Sequence, residues 1–381
     1  MSTARSSIRP RPGSGDDAMT DAPHGWFAAD YYEPRDRFRA AAAAAGACLS
    51  TAVHPSATGP GGRDLSMDLA VLGEGPDTLV VISGTHGPEG YPGAAIQTGL
   101  FETGEAAAIA AMGVRVAMIH AHNPYGFAWD TRFNEDNIDL NRNYLDDWAD
   151  LPDNPGYRVL ADHAAPQDRS AEAIEAAQMA IFAYAAEHGF PAMQAALTQG
   201  QYSHPQGVYF GGLGPSWSHR TLEAFYRTAT DGAGRIVSID VHTGLGPFGH
   251  GELIFQHAPG TALHARVMAL WDGEPCTTKD GSSVSADLVG TLDTALERFA
   301  PQAEVITLAI EYGTVDPIQV FTATQASSWL HVFGDRDGPE APAIRQAVRD
   351  AFYPQSAEWR EKVWDRGLDV VRRGLRAFDP A

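Results

Sequence analysis

Short apolar runs rich in β-branched residues recur along the chain and constrain its fold more than any other feature. They span residues 78–83, 114–119, 236–241 and 305–310, and helical patterns fall between them. A continuous apolar run of this length is typical of a strand buried on both faces of a parallel sheet. Because strands alternate with helices, we predict an α/β fold with a mostly parallel mixed sheet flanked by helices.

The parts of the chain outside this alternation predict the domain organisation. Residues 1–25 carry Arg, Ser, Pro and Gly without an apolar segment, so we expect a disordered leader, and either Met1 or Met19 can be the true start. We expect residues 26–381 to form a single catalytic domain. A Gln- and Ala-rich, largely helical stretch at about 150–230 reads as an insertion that shapes the site.

Composition excludes several classes of partner. The formal net charge of −21 opposes binding to nucleic acid or to anionic lipid, which requires clustered Lys and Arg. No run of about 18 apolar residues is present to span a membrane. Cys48 and Cys276 stand far apart and without partners, so neither a disulfide framework nor a thiolate metal site is expected. A reducing cytoplasm fits this usage best, whereas the oligomeric state is not indicated.

Polar residues follow two of the predicted strands where ligands bind in open parallel sheets, beyond the carboxyl ends. His86 and Glu89 lie three positions apart in the loop after the first run. Asp240 and His242 end the third run, and strand alternation points both to the same side. Two imidazoles and one carboxylate are a standard ligand set for catalytic zinc, so we predict one zinc ion per chain held by His86, Glu89 and His242.

Other interpretations of these residues stay open. Asp240 and His242 can form a buried pair with no metal. His120 and His122 are a competing ligand pair, although neither has a carboxylate at ligand spacing. Glu311 stands at the mouth of the last run, where an ionised carboxylate needs a partner, either a metal-bound water or an arginine.

The segment after the second run is dense in Asn, Asp and Arg. It can be a solvated turn region. Arg132, Asn141 and Arg142 nevertheless lie just past a strand end, and arginine side chains are well suited to gripping a carboxylate or an oxyanion. These three residues are therefore candidates for contact with a substrate.

The order of these motifs resembles that of the zinc carboxypeptidase clan. The resemblance rests on four features: the pair His86 and Glu89, the motif Asp139-Leu-Asn141-Arg142, the motif Asp240-Val-His242-Thr-Gly, and Glu311 at a strand end. The Asp-Leu-Asn-Arg and Asp-x-His-Thr pieces are most similar to the aspartoacylase and succinylglutamate desuccinylase branch. Further stretches, such as Asn-Pro-Tyr-Gly-Phe at 123–127, resemble a bacterial family of uncharacterised zinc carboxypeptidase-like proteins. The resemblance covers roughly residues 65–335.

The resemblance implies a role for each site residue. It implies that His86, Glu89 and His242 bind zinc, and that Glu311 is the general base and acid. Arg132 would steady the developing oxyanion, and Asn141 and Arg142 would hold a substrate carboxylate. Asp240 would support a metal ligand from behind, for His242 or for another ligand. The mobile tyrosine of the digestive carboxypeptidases aligns with no single position, and its candidates are Tyr202, Tyr209 and Tyr312.

Three functions are compatible with these residues. We expect a zinc-dependent amidohydrolase that cleaves a small peptide beside a carboxylate-bearing residue, as carboxypeptidases do. The second possibility is a deacylase of N-acyl amino acids that uses the same metal site. The third is a non-catalytic metal-binding protein of the same fold, against which the presence of Glu311 argues.

Overall fold

The computed structural model describes residues 24–380 and contains a mixed eight-stranded sheet. In chain order the strands are β1 Cys48–Thr58, β2 Asp64–Leu72, β3 Asp77–Ser83, β4 Val114–His120, β5 Arg235–Phe248, β6 Gly251–Phe255, β7 Cys276–Thr277 and β8 Glu304–Gly313. Their order across the sheet is β1-β2-β4-β3-β5-β8-β6-β7.

Helices cover this sheet. They are α1 Tyr32–Ala44, α2 Gly90–Glu102, α3 Glu105–Ala111, α4 Pro124–Trp129, α5 Pro155–Ala164, α6 Ala171–His188, α7 Phe190–Thr198, α8 Trp217–Ala229, α9 Ala262–Leu270, α10 Leu292–Phe299, α11 Pro317–Val332, α12 Ala341–Phe352 and α13 Ala357–Gly374. Short 3₁₀ turns at Gly87–Glu89 and Leu140–Arg142 follow two of the central strands.

The centre of the sheet confirms the predicted fold class. Strands β4, β3, β5 and β8 are neighbours and pair in parallel. These are the strands that the apolar runs predicted. Strand β2 pairs with β4 and β6 pairs with β8 in antiparallel fashion, so the sheet is mixed as well as mostly parallel at its centre.

Alternating side chains of the central strands supply two cores, one on each face of the sheet. In β3, Leu79 and Val81 contribute to one core, and Val80 and Ile82 contribute to the other. All four side chains are fully buried. Burial on both faces explains why this strand is a continuous apolar run rather than an alternating one.

Helices α5, α6 and α7 lie in the first part of the stretch of about 150–230 for which the sequence predicted a helical insertion. Apolar side chains of these helices form a third cluster, apart from the two cores of the sheet, which includes Ile181 and Met193. Of the predicted leader, residues 1–23 lie outside the described residues, and the next residues begin a 3₁₀ turn at His24–Trp26. Among residues 24–380, no helix is both long and apolar enough to cross a membrane.

Candidate metal centre

The loop after β3 brings His86 and Glu89 together in a single turn. Gly84 has a left-handed backbone with a φ of 71°, which turns the chain away from the sheet at low cost. Pro88 lies in the first turn of the 3₁₀ segment, where its fixed φ is favourable. A Cβ atom on Gly87 would lie 2.0 Å from the backbone carbon of Gly126, so this position requires glycine.

Two neighbouring strands supply the other predicted site residues. Asp240 and His242 lie on β5, and Glu311 lies on β8 directly opposite His242 in the parallel register. His86, Glu89 and His242 are buried, with 1–4% of their surface exposed. The carboxyl ends of adjacent parallel strands therefore meet here, as the sequence predicted.

The three predicted ligands converge with a geometry that fits a metal ion. Nδ1 of His86 lies 3.0 Å from Oε1 of Glu89, and Nδ1 of His242 lies 2.9 Å from Oε2. One ligand atom from each residue lies within 4.8 Å of the other two. Tetrahedral ligands about 2.0–2.1 Å from zinc lie roughly 3.3 Å from one another, so the spacing suits such an ion. Among the described residues no other group of His, Cys, Asp and Glu meets this spacing.

Each imidazole is supported from behind by an aspartate. Nε2 of His242 lies 2.7 Å from Oδ2 of Asp240, which identifies the partner that the sequence left open. Nε2 of His86 lies 3.0 Å from Oδ1 of Asp139. Such an acceptor fixes the ring so that Nδ1 is free to bind a metal. In the sequence Asp139 belongs to a recognisable motif but has no predicted role, and only its position before Asn141 and Arg142 hints at one.

A buried chain of hydrogen bonds continues from Asp240 into the protein. Thr85 Oγ1 donates to the Asp240 carboxylate at 2.9 Å and lies 3.2 Å from Nδ1 of His122. Tyr144 Oη lies 2.7 Å from Nε2 of the same ring. Because the threonine proton points to Asp240, His122 donates from Nδ1 and accepts from Tyr144 at Nε2. Every donor in this series of hydrogen bonds thus points toward Asp240.

The histidine pair His120 and His122 does not form the competing metal site. Ala121 between them has a left-handed φ of 59°, so strand alternation ends there. His120 stacks on Phe38 in one core, with ring centroids 4.6 Å apart. His122 instead faces Tyr144, which belongs to the other core. Two side chains on opposite faces of the sheet cannot bind one ion.

The charges of the ligands stabilise one another. Burial raises the pKa of Glu89, but the two neighbouring imidazoles outweigh it and hold the pKa below its ordinary value. Burial lowers the pKa of His242, but the carboxylates of Asp240 and Glu89 raise it well above its ordinary value. The two shifts favour the ionised form of Glu89 and the protonated form of His242, so the two charges stabilise each other.

Glu311 stands next to this cluster, and no described residue forms an ion pair with it. Its Oε1 accepts a hydrogen bond of 2.9 Å from the backbone N–H of Leu245. Within residues 24–380 no salt bridge includes Glu311, so the arginine partner considered from the sequence is not found. Burial, and then the nearby charge of Glu89, raise the pKa of Glu311 to about 7. A carboxyl group with this pKa exchanges a proton readily near neutral pH.

Arg132 lies beside the ligands. Its Nε donates to Oδ2 of Asp139 at 2.9 Å, and its Nη1 donates to Oε1 of Glu89 at 3.4 Å. Nη2 lies 2.9 Å from Nε2 of His86. Burial lowers the pKa of Arg132, but Asp139, Tyr209 and Glu89 together outweigh burial and raise it, so the guanidinium is a fixed positive charge. It also lines the cavity described below.

Asn141 and Arg142 reach the same cavity, but Arg142 is largely occupied. Its guanidinium donates from Nε and Nη2 to the backbone oxygen of Thr198, at 3.1 and 2.6 Å, and from Nη1 to that of Asn141 at 2.7 Å. An arginine has five N–H groups, so two are left for a ligand. Asn141 accepts from the N–H of Leu292 at 2.9 Å.

The structure separates the three tyrosine candidates. Tyr209 lines the cavity, and the guanidinium carbons of Arg132 and Arg142 lie 5.3 and 5.7 Å from its ring centroid. Its φ of 55° is strained for an aromatic residue. The hydroxyl of Tyr202 donates to Arg142 O at 2.6 Å, and that of Tyr312 donates to Val363 O at 2.9 Å. Tyr209 is therefore the candidate that can reach a substrate.

One cavity of about 440 Å³ adjoins this site, and of the three predicted ligands His86 and His242 line it whereas Glu89 does not. Its wall includes the predicted residues His86, Arg132, Asn141, Arg142, Asp240, His242 and Glu311. The size lies within the range of roughly 300–1,000 Å³ that is common for small-molecule sites. The candidate metal centre is thus open to a ligand.

The chain matches one protein family model, and the description of that family names no function. A family model described as protein of unknown function (DUF2817) matches residues 27–366. The search of curated proteins found no match.

Several solved structures resemble the chain at low sequence identity. Carboxypeptidase A from Helicoverpa armigera is 10% identical, with a TM-score of 0.44, over 86% of this chain and 75% of that one. Bovine thrombin-activatable fibrinolysis inhibitor is 9% identical, with a TM-score of 0.41, over 90% and 98%. Succinylglutamate desuccinylase/aspartoacylase from Rhodobacter sphaeroides is 17% identical, with a TM-score of 0.35, over 75% and 65%. Both groups named by the sequence resemblance are represented. All three TM-scores lie below 0.5, so the case for a metal centre rests on the site's own geometry.

Proposed function

We propose that this chain, which belongs to the family described as protein of unknown function (DUF2817), is a zinc-dependent hydrolase of amide bonds. His86, Glu89 and His242 would hold the ion, and Glu311 would be the general base and acid. The substrate would carry a carboxylate on one side of the cleaved bond, as in carboxypeptidases.

One observation supports this proposal above all others. Two imidazole Nδ1 atoms face opposite oxygens of the Glu89 carboxylate beside a cavity that both imidazoles line, and an aspartate supports each ring from behind. A purely structural cluster of this kind would have no need of a cavity. It would also have no need of Glu311, a second buried carboxyl group whose pKa is raised by burial and by the charge of Glu89.

The residues of the chain have distinct chemical tasks. Bound zinc would act as a Lewis acid and lower the pKa of water at the site toward about 7. Glu311 would accept a proton from the attacking water and later return it to the leaving amine. Arg132, a fixed positive charge beside the ligands, would stabilise negative charge that develops on the carbonyl oxygen. Asn141 and the two unused N–H groups of Arg142 would bind the substrate carboxylate.

The same site is compatible with deacylation of N-acyl amino acids. That reaction uses the same metal ligands and the same base but presents the carboxylate on a single amino acid. The arginines do not decide between the two, because both substrate classes end in a carboxylate beside an amide.

A substrate panel with the zinc-loaded protein tests the proposal. It should contain peptides with free and with amidated C-termini, together with N-acyl amino acids. Release of a C-terminal amino acid from free peptides alone would support carboxypeptidase activity, and cleavage of N-acyl amino acids alone would support the deacylase. Equal, slow turnover of every substrate by the wild type and by Glu311→Gln would contradict a hydrolase that uses this base.

A further inference from the structure

The walls of the cavity differ sharply in character from one end to the other. Around the carboxylate-binding residues the lining is polar. Asn141 accepts a hydrogen bond from the N–H of Leu292. The two residues that flank Leu292 in the chain, Thr291 and Asp293, also line the cavity. This end suits a polar part of a substrate.

The other wall is apolar and is built by helices α6, α7 and α11. On α7 the lining residues Phe190, Met193 and Leu197 recur at the spacing of one helix face. Ile181 and Phe182 of α6 lie beside them. The lining residues of α11 include Ile318 and Phe321.

Three of these apolar side chains are exposed where the cavity opens. Phe182 is 51% exposed, Phe190 63% and Ile318 53%. Large apolar groups that meet in an open cavity leave surface in water that a ligand can bury, whereas a single exposed apolar residue needs no explanation. The apolar residues deeper in this wall, such as Met193 and Leu197, are buried.

The apolar wall is anchored rather than loosely attached. Gln194 of α7 donates to the backbone oxygen of Val284 at 3.1 Å, and Gln325 of α11 donates to that of Ala164 at 2.9 Å. Phe321 of α11 packs against the cluster that contains Ile181 and Met193. The apolar wall is therefore preformed, as a binding site for a specific group should be.

We propose that the apolar wall binds a large apolar group on the acyl side of the cleaved amide. The chemical class is an amide between a carboxylate-bearing amino acid and a long aliphatic or aromatic acyl group. This inference rests on the proposed function for the position of the amide. Thr198, at the end of the α7 face, accepts hydrogen bonds from Arg142, so the wall begins at the carboxylate site and runs from there toward Phe190, as the acyl part of a substrate would. From Phe190 to Leu197 the α7 face extends roughly 10 Å, at about 1.5 Å per residue.

A series of N-acylglycines tests this assignment, because glycine has no side chain and only the acyl group varies. Dissociation constants of the acetyl, hexanoyl and dodecanoyl compounds would be measured by calorimetry on zinc-loaded Glu311→Gln, alongside hydrolysis by the wild type. Each methylene that becomes fully buried should tighten binding by up to about fourfold. We expect at least a tenfold gain from acetyl to hexanoyl. Equal binding of all three compounds would overturn the assignment.

Phe182 and its neighbour Met179 provide a matched pair of variants. Both lie on α6 and are similarly exposed, at 51% and 64%, but only Phe182 lines the cavity. Phe182→Gln should weaken binding of the dodecanoyl compound at least several-fold and leave the acetyl compound unchanged. Met179→Gln should affect neither. Equal effects of the two substitutions would show that the gain is non-specific.

Two further comparisons complete the experiment. Acetyl-Leu-Phe-Gly against acetyl-Ala-Ala-Gly tests whether apolar peptide side chains reach the same wall. A gain for this peptide as large as that for the acyl chains would identify a peptide source, and a gain for acyl chains alone would identify a fatty acyl source. Binding that increases with chain length without any hydrolysis would refute the proposed function and leave the apolar site supported. Hydrolysis at a rate that does not depend on chain length would support the proposed function and refute the apolar site.

Discussion

Glu311→Gln separates a catalytic role from a structural one. The two side chains are nearly isosteric, and the Gln oxygen can accept the hydrogen bond from Leu245 that Glu311 now accepts at 2.9 Å. Gln cannot accept a proton, so we expect kcat to fall by a factor of about 10² to 10⁴ while the zinc content stays normal. KM should change little, because an interaction made chiefly in the transition state lowers kcat and kcat/KM together.

Glu311→Gln should also increase the free energy of unfolding of the metal-free protein. Burial, and then the charge of Glu89, raise the pKa of Glu311 from 4.5 to about 7. A carboxyl group whose pKa is raised by folding destabilises the folded state once the pH exceeds the group's pKa in the unfolded state. The destabilisation reaches its full value once the pH also exceeds the group's pKa in the folded state. At about 1.4 kcal/mol per pKa unit, the carboxylate costs about 3 kcal/mol near pH 8. The Gln variant should gain this amount near pH 8 and nothing near pH 4.

Urea unfolding with a chelator at both pH values, together with steady-state kinetics and a zinc assay, measures these quantities. Glu252→Gln is the control, since Glu252 is a buried residue opposite Glu311 on β6 that does not line the cavity. Its kcat should stay normal. Near-normal turnover by Glu311→Gln on a substrate that the wild type cleaves would refute the proposed base. A loss of about 3 to 5 kcal/mol near pH 8 would instead indicate a broken ion pair.

Three other results are expected at the same site. Asp240→Ala and Asp139→Asn should each weaken zinc affinity by about 10- to 100-fold in a chelator competition, because each alters the acceptor behind a ligating imidazole; unchanged affinity would leave that aspartate a structural role only. Arg142→Ala should raise KM mainly for substrates with a free α-carboxylate, and an equal loss on amidated substrates would show that its hydrogen bonds to backbone oxygens are what matters. Zinc binding should release a proton from His242, whose pKa is raised, so affinity should increase with pH until that pKa is passed. Calorimetry in buffers of different ionisation enthalpy counts the protons, and a count of zero near neutral pH would contradict this charge state.

The sequence was sufficient to predict the centre of the sheet and the convergence of His86, Glu89 and His242. Strands buried on both faces leave a strong apolar signal, and polar residues at their carboxyl ends must lie along one edge of a parallel sheet. The outer strands were less predictable. Strand β1 is mostly exposed or half-buried, β6 has five residues and β7 has two, so none of them leaves such a run.

Other features of the site depend on backbone geometry and long-range packing that no local pattern reveals. The left-handed Ala121 turns His122 away from His120, although their spacing in a regular strand would place them on one side. Asp139 reaches His86 across 53 positions of the chain. The apolar wall of the cavity arises because Phe321 of α11 packs against α6 and α7, far from it in sequence.

Zinc analysis of the purified protein and of two ligand variants tests the metal centre most directly. The wild type should contain about one zinc ion per chain, and His86→Ala and His242→Ala should each lose most of it, because each removes one of three protein ligands. His120→Ala, a substitution of a buried histidine outside the site, controls for general destabilisation and should keep its zinc. Full zinc retention in both ligand variants, or its equal loss in the control, would contradict a metal centre formed by these residues.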